Sequence, residues 1–564
     1  MELSHFGAKV LHPKTIAPAR ERGIPVRVCN SFAPDQPGTL VRAGAAPPPH
    51  LVRGISFLKE ICLINVTGPG MKGVPGVAAR IFGAMASRDI SVILITQGSS
   101  EVAISFCVQE TDGERAVETL REAFAGEIAA GMMDPIERQN GLSILSIVGD
   151  GMRTRMGAAG TFFQSLAHVG CNVVAIAQGS SERNISAVIA ARDGERAMRH
   201  VHRCFFDGRE VLEIHLLGAG MVGRRLLAQI RRQRERLLAQ GIELRVCALA
   251  NSRRMLLDPR GLDLVTWEED LAARGTATDL AALCDLVRER RPIHPVLVDC
   301  TSSESLAAAY PRLFEAGFHL VTANKKANSA SMAFYRELRR TANRWQRRFF
   351  YETNVGAGLP VIDTLKNLVK TGDEVIRFDG ILSGSMSFIL GLLEEGTALS
   401  DAVRTARERG FTEPDPRDDL SGLDVARKVL ILAREMGRQL ELEDVRLEPL
   451  LPPGFAEGAT VEELLAELPS LDAEFAAQVE EMHARSEVPR FVGSIGEDGC
   501  RVGLQAVPRD HPLAAIRGGE NALAFLTQHY RPTPLVVRGY GAGADVTAAG
   551  VLADILHLVY WNVE

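Results

Sequence analysis

Nowhere in this 564-residue chain does an apolar run reach the roughly 18 residues that a membrane-spanning helix needs. The opening stretch, "MELSHFGAKVLHPKTIAPAR", also lacks the apolar centre of a secretory signal. Basic charge is not in excess: 64 Lys and Arg face 70 Asp and Glu, for a formal net charge of -6 and a pI near 6.2. Nucleic acid and anionic membrane therefore find no electrostatic footprint, and small molecules are the expected partners. The nine cysteines form no C-x-x-C pair, and the close pair His200 and His202 has no partner cluster. That pattern gives no sign of a zinc centre or a disulfide framework and suits reduced thiols in a cytoplasmic protein.

What is present is a globular composition, 46% hydrophobic and 24% charged, in a length that suits about three to five domains. A repeat organises the first third. "LINVTGPGM" (63–71) matches "ILSIVGDGM" (144–152), and "SVILITQGSSEVAIS" (91–105) matches "NVVAIAQGSSERNIS" (172–186). In each copy an apolar strand ends in Gly-x-Gly-Met, a helical stretch follows, and a second strand runs into Gln-Gly-Ser-Ser-Glu before a third. This β-α-β-β order is the first half of a ferredoxin-like module, so two small α+β modules are expected to pack by their sheets or helices. Gln97 and Gln178 can each offer an amide donor and acceptor to an amino acid. Ordinary turn chemistry preserved by duplication accounts for the same loops.

Past residue 210 the pattern changes. "VLEIHLLGAGMVGRRLLAQI" is an apolar strand, then Gly218-Ala-Gly220-Met221-Val222-Gly223, then an amphipathic helix. This is the context a dinucleotide motif requires, with the helix N-terminus as its anion site. Gly218 allows the tight turn, Gly220 a close pyrophosphate, and Gly223 close helix–strand packing. The next strand ends in Ala250-Asn251-Ser252-Arg253-Arg254, with no acid to hold a ribose 2′-hydroxyl and two arginines to meet a 2′-phosphate. NADP(H) is thus favoured over NAD(H), with Arg253 as the first contact; a solvated arginine pair is the alternative. Two further strands end in Thr301-Ser302-Ser303 and Asn324-Lys325-Lys326, which belongs to the ligand cleft of a doubly wound sheet.

The stretch "GFTEPDPRDDLSGLDVARK" (410–428) gathers Glu413, Asp415, Asp418, Asp419 and Asp424 before Lys428. Ser421 reads as a helix N-cap with Asp424 at the third helical position, and Asp424 and Lys428 are four apart, on one face. A capping box with a surface ion pair explains two residues and leaves the other acids over. An ammonium-bearing substrate explains them better. A lysine beside a second lysine, Lys428 beside Lys325, loses its proton more readily and suits acid/base work. The residues therefore point to an NADP-linked oxidoreductase for an amino-acid alcohol or aldehyde.

"GFTEPDPRDDLSGLDVARK", "TANKKAN", "YETNVGAGLPVI", "GILSGSMSFI" and "GYGAGADVTAAGVLAD" resemble homoserine dehydrogenase, and the two "QGSSE" modules resemble the ACT pair of bifunctional aspartokinase/homoserine dehydrogenase. The likeness covers essentially the whole chain. It implies an α/β and α+β multidomain fold. Residues 1–48 look like the tail of an aspartokinase catalytic domain, so aspartate phosphorylation by this chain unaided is not expected. ACT modules are expected at 49–135 and 136–210, a Rossmann domain at 211–350, a catalytic and dimerisation domain at 351–530, and a return segment at 531–564. The resemblance further implies that homoserine's amino group meets Glu413 and Asp424 near Asp419, with Lys428 transferring the proton and Lys325 as its partner. Gly410 and Gly541 would line the nicotinamide. A sodium ion would be held by Glu352 and the carbonyls of Val355, Ala357 and Leu359, and oxygen ligands suit such a hard cation. Threonine is the implied effector at Gln97 and Gln178, in a homodimer or homotetramer. "TANKKAN" departs from the family in carrying Ala323 where proline is common. A purely regulatory amino-acid-binding subunit with a relic dehydrogenase is the rival reading, and the intact Lys325, Glu413, Asp424 and Lys428 set argues against it.

Overall fold

The structure, a computed structural model, describes residues 13–42, 52–98, 102–149, 157–178, 184–207 and 209–560. The chain divides into two compact units, Met1–Arg209 and Glu210–Glu564. In the first, a short antiparallel pair, β1 (Val26–Val28) and β2 (Thr39–Val41), precedes the repeat. The first copy runs β3 (Val52–Thr67), α1 (Val77–Ser87), β4 (Leu94–Gln97), β5 (Ala103–Gln109) and α2 (Gly113–Ala123). The second runs β6 (Glu137–Gly149), α3 (Ala158–His168), β7 (Val173–Gln178), β8 (Asn184–Ala190) and α4 (Gly194–His202). A helix thus closes each copy after its third strand.

The helices follow from spacing. Val77, Ile81 and Met85 in α1, and Ala158, Phe162 and Leu166 in α3, recur every fourth residue and enter the two module cores. The modules do join through their sheets: β3 and β6 pair antiparallel at the centre of one six-stranded sheet, ordered β4-β5-β3-β6-β8-β7. Its end strands β4 and β7 lie against one another, and Ile61, Leu63, Leu94, Leu142, Ile144 and Val188 share a cluster on the inner side.

The second unit holds two sheets. The first is ordered β12-β11-β10-β9-β13-β14-β15, from β9 (Glu210–Leu217), β10 (Ile242–Ala250), β11 (Arg254–Leu257), β12 (Thr276–Ala277), β13 (His294–Asp299), β14 (His319–Thr322) and β15 (Phe349–Phe350). The run β10-β9-β13-β14-β15 is parallel, and β11 and β12 add antiparallel at the edge. Helix α5 (Met221–Ala239) lays Leu226, Leu227 and Ile230 on one face, and α6 (Trp267–Arg274) and α7 (Met332–Arg344) follow.

Next come α8 (Ile362–Lys370), β16 (Val375–Ile381), α9 (Gly384–Glu394), α10 (Leu399–Glu408), α11 (Pro416–Leu420) and α12 (Leu423–Glu435). The second sheet is ordered β17-β19-β18-β16-β20-β21, adding β17 (Val445–Leu447), β18 (Glu487–Gly496), β19 (Gly499–Pro508), β20 (Glu520–Thr527) and β21 (Leu535–Tyr540). The last helix, α13 (Ala544–Tyr560), packs along α5, where Ala548, Val551 and Ile555 complete the core of the first sheet. The expected return segment therefore divides: β21 stays in the second sheet, and only α13 goes back.

Helix α12 begins one residue later than the sequence suggests. Ser421 is not the N-cap residue; its hydroxyl donates to Asp418 O at 2.8 Å and accepts from the N–H of Leu423 at 3.3 Å, and Gly422, at φ 71°, forms the corner between α11 and α12. A Cβ at Gly422 would lie 2.6 Å from the Phe491 ring, so glycine is required there by backbone and by space. Asp424 is consequently the second helical residue.

Candidate active site

The dinucleotide motif spans the end of β9 and the start of α5. Gly218 sits at φ 105°, where a Cβ would be 2.7 Å from the Cys300 backbone, and a Cβ on Gly223 would be 2.0 Å from Gly218 O. Gly220, the residue before α5, opens onto empty space. Met221 is 80% exposed and Val222 packs on the core. Ala250, the last residue of β10, accepts from the N–H of Gly218 at 2.9 Å. Beyond it Asn251 Oδ1 accepts from the N–H groups of Arg253 and Arg254, folding the loop into a tight turn.

That turn borders a cavity of about 390 Å³ lined by Ala219, Arg224, Asn251, Arg253, Arg254 and Trp267 among others. Arg224 is paired with Glu268 and Arg254 donates to Ala272 O. The Arg253 side chain is exposed and has no partner among the described residues. Among the described residues, the cavity therefore keeps one uncommitted cation beside the glycine turn.

At the ends of β13 and β14 a buried network fixes the neighbouring loops. Asp299 Oδ2 accepts from Tyr310 OH at 2.6 Å and Asn324 Nδ2 at 3.1 Å, and Oδ1 accepts from the N–H of Thr301 at 2.7 Å. Burial raises the pKa of Asp299, against the pull of these donors. Thr322 joins Tyr310 OH at 2.7 Å. Thr301 and exposed Ser302 are held on one side, and Lys325, between Asn324 and Lys326, on the other.

Lys325 Nζ reaches Asp424 Oδ1 at 3.1 Å and Lys428 Nζ reaches Asp424 Oδ2 at 2.9 Å. Lys428 is buried and also donates to Leu382 O at 2.6 Å. Burial lowers its pKa from the ordinary lysine value; the Asp424 charge opposes this and the Lys325 charge adds to it. Burial would raise Asp424, yet the charges of Lys428 and Lys325 hold it well below the usual carboxylate range. The arrangement offers a proton held on a reluctant lysine, next to a carboxylate that stays ionised.

The other acids divide. Asp415 caps α11 and pairs with Arg417 at 2.6 Å. Asp419 accepts from Ser385 Oγ at 2.6 Å and from the N–H of Glu413 at 2.8 Å, which ties down the loop. Glu413 is exposed, and its carboxylate has no partner among the described residues. Gly410 follows α10 in open space, whereas Gly541 is pressed on the Asn521 side chain, 1.9 Å from where its Cβ would be.

Glu352 is buried, and its two oxygens accept from the N–H groups of Ile362 at 2.7 Å and Asp363 at 2.8 Å. Burial, then the Asp363 charge, pushes its pKa up to about 7. Asp554 on α13 accepts from the N–H of Glu352 at 3.0 Å and is pushed by burial to about 8. Val355 to Leu359 turns through two left-handed residues, Gly356 (φ 79°) and Ala357 (φ 53°). Among the described residues no cluster of three His, Cys, Asp or Glu could hold a metal.

Gln97 and Gln178 end β4 and β7 and are exposed. The Ser-Ser-Glu parts of both loops, and Arg183, lie outside the described residues. Asn324 was read in the sequence as part of a strand-end cluster; Asp299, missed there, carried a usable signal as a polar residue closing an apolar strand. Tyr310 carried none, being an ordinary member of a helical pattern.

Family models for homoserine dehydrogenase and for its NAD binding domain match residues 360–556 and 218–352, and an ACT domain model matches 64–124 and 145–205. Among curated relatives, the bifunctional aspartokinase/homoserine dehydrogenase of Haemophilus influenzae is 50% identical over 99% of this chain and 68% of its own length. That of Buchnera aphidicola is 43% identical over the same shares. A solved structure of a Candida auris protein of unknown function is 34% identical, with a TM-score of 0.58, covering 62% of this chain and 98% of that one.

Proposed function

Given that this chain belongs to the bifunctional aspartokinase/homoserine dehydrogenase family and is a homoserine dehydrogenase with an ACT pair and a nicotinamide-binding domain, we propose that it interconverts L-homoserine and L-aspartate 4-semialdehyde with NADP(H) in preference to NAD(H). The observation that carries this is the Lys325–Asp424–Lys428 bridge. When bound, the nicotinamide gives or takes the hydride at the terminal carbon. Lys428 then holds the proton that passes to or from the substrate oxygen, and its depressed pKa makes both directions accessible. Glu413, exposed and unpaired among the described residues, takes the substrate ammonium together with Asp424, while Asp419 holds the Glu413 backbone.

Arg253 meets the 2′-phosphate, with Gly218, Gly220, Met221, Val222 and Gly223 around the pyrophosphate and Ala250, Thr301 and Ser302 beside it. Gly410 and Gly541 are proposed at the nicotinamide. The sodium proposal is supported by charge: Glu352 and Asp554 are two buried acids in contact, and the turn at Gly356 and Ala357 leaves backbone oxygens of Val355, Ala357 and Leu359 as ligands. The Glu352 carboxylate is engaged by two N–H groups, so backbone oxygens carry most of that site.

L-Threonine is the proposed effector, at Gln97 and Gln178, and a homodimer or homotetramer the proposed assembly. Among the described residues no helix is long and apolar enough to cross a membrane. NADPH oxidation with aspartate semialdehyde, run with and without threonine, tests the reading: absent turnover leaves the regulatory-subunit alternative, and turnover that threonine leaves untouched removes the effector.

A further inference from the structure

Helix α12 carries Asp424 and Lys428 in its first turns, and Arg434 near its other end. The Arg434 side chain is fully buried, and its one acidic partner among the described residues is the half-exposed Glu441. Most of its donors go to backbone carbonyls: Nη1 donates to Asn328 O at 2.9 Å and Ala330 O at 2.7 Å, and Nε and Nη2 donate to Leu440 O at 3.0 and 2.8 Å. Nη2 also meets Glu441 Oε2 at 3.1 Å, and the same carboxylate accepts from the N–H of Met332 at 2.9 Å. Residues 328–332 are thereby clamped to α12 from both sides.

That segment is the far end of the turn that presents Lys325. Ser329 N and Oγ both donate to Lys325 O at 3.0 Å, so 325–329 moves as one piece. Buried Asn328 donates to Asn354 Oδ1 at 2.9 Å, which ties the piece to the crossover between the lobes. Burying a guanidinium is costly unless every donor is satisfied by fixed geometry, and here the partners are main-chain oxygens that cannot rotate away.

We propose that Arg434 is a positioning residue of the dehydrogenase: its grip on Asn328 and Ala330 sets where Lys325 meets Asp424 and Lys428. This rests on the reading of the lysine pair as the proton-transfer site. Lys428 faces Asp424 on its own helix, Lys325 from the nucleotide-binding lobe, Asp419 from α11 and the Leu382 carbonyl after β16. Of these, only Lys325 is held in place by the clamp. Loosening the clamp withdraws a cation from Lys428 and raises its pKa.

The test is the pH profile of kcat for homoserine oxidation in the full chain. Arg434→Lys keeps the charge but cannot reach all these carbonyls. It is expected to lower kcat about ten- to a hundredfold, to leave the KM for NADP within about twofold, and to move the acid limb alkaline by about half a unit or more. Val507→Ala, in a core cluster away from α12, serves as a control matched for loss of Tm and is expected to leave the limb in place. A folded Arg434→Lys with the wild-type profile, or an equal shift in Val507→Ala, overturns the proposal. Should Arg434→Lys not fold, Glu441→Gln, which releases Arg434 while retaining an acceptor for Met332, decides in the same way with a smaller effect. Lys428→Met run alongside separates the two failures. If it keeps turnover, the lysine reading falls; if it is inactive while the clamp variants behave as wild type, the positioning role alone falls.

Discussion

Lys325 and Lys428 are joined through the two oxygens of one carboxylate, at 3.1 and 2.9 Å from Asp424. One lysine follows β14 of the nucleotide-binding sheet, and the other lies on α12 over the second sheet. The bridge is therefore also the seam between the two lobes of the dehydrogenase, and disturbing any of its three members alters both charge and closure.

Lys428→Ala is expected to lower kcat at least about a hundredfold, the scale of losing a general acid/base. NADPH affinity, measured by fluorescence titration, should hardly change, because the phosphate contacts proposed above are at the ends of β9 and β10. Turnover surviving within a few fold would assign the proton to another group.

Removing the second cation should shift the pH dependence in one direction. Lys325 lowers the pKa of Lys428, so Lys325→Met raises it, and less of the base form exists at a given pH. The acid limb of homoserine oxidation should move to higher pH, whereas semialdehyde reduction should hold to higher pH than in the wild type. A limb that stays put would show that the two lysines do not interact in the working enzyme.

Arg253→Ala should weaken NADPH by about 1.5–3 kcal/mol, the worth of a hydrogen bond to a charged group, and leave NADH almost unaffected. The comparison is direct in equilibrium titrations of both cofactors. Equal losses would mean that Arg253 supports the turn rather than the 2′-phosphate.

For the ACT pair, Gln97→Ala and Gln178→Ala are each expected to weaken threonine binding by about 1 kcal/mol or more without changing uninhibited turnover. Calorimetry on the intact chain reads this directly. No threonine heat in the wild type removes the effector, and binding without inhibition shows that the two states bind threonine equally.

Gly422→Ala should destabilise the fold by about 1–3 kcal/mol, since it adds a left-handed non-glycine residue where a Cβ would also strike Phe491. Because the corner aims the first turn of α12, kcat should fall together with stability. A variant of unchanged Tm would place the strain elsewhere.

The dinucleotide turn was legible because its sterics admit one residue type: only glycine fits where Gly218 meets Cys300 and Gly223 meets Gly218. The i, i+4 spacing likewise revealed Asp424 and Lys428. The acid cluster was only half legible, for Arg417 claims Asp415 two residues away and Asp419 turns inward to Ser385. The start of α12 was misplaced because Ser421 and Gly422 are both good corner residues, and the choice is made by Phe491, 69 positions away from Gly422. Arg434 was silent for the same reason. Two of its partners are main-chain oxygens at |i−j| of 106 and 104, which no side-chain pattern marks, and the nearer Glu441 lies seven positions on, beyond the end of α12.

Helix α13 supplies the residues Ala548, Val551 and Ile555 that seal Leu226, Leu227 and Ile230, although more than 300 positions of sequence separate the two groups. On a ribosome the nucleotide-binding sheet therefore emerges long before the helix that covers it. Until that helix arrives, α5 shows an apolar face to water or to whatever chaperone meets it. The two ACT modules, which share one sheet, draw their buried clusters from residues 52–206, a shorter reach along the chain. The nucleotide-binding sheet is thus sealed by a contact that spans most of the second unit's length.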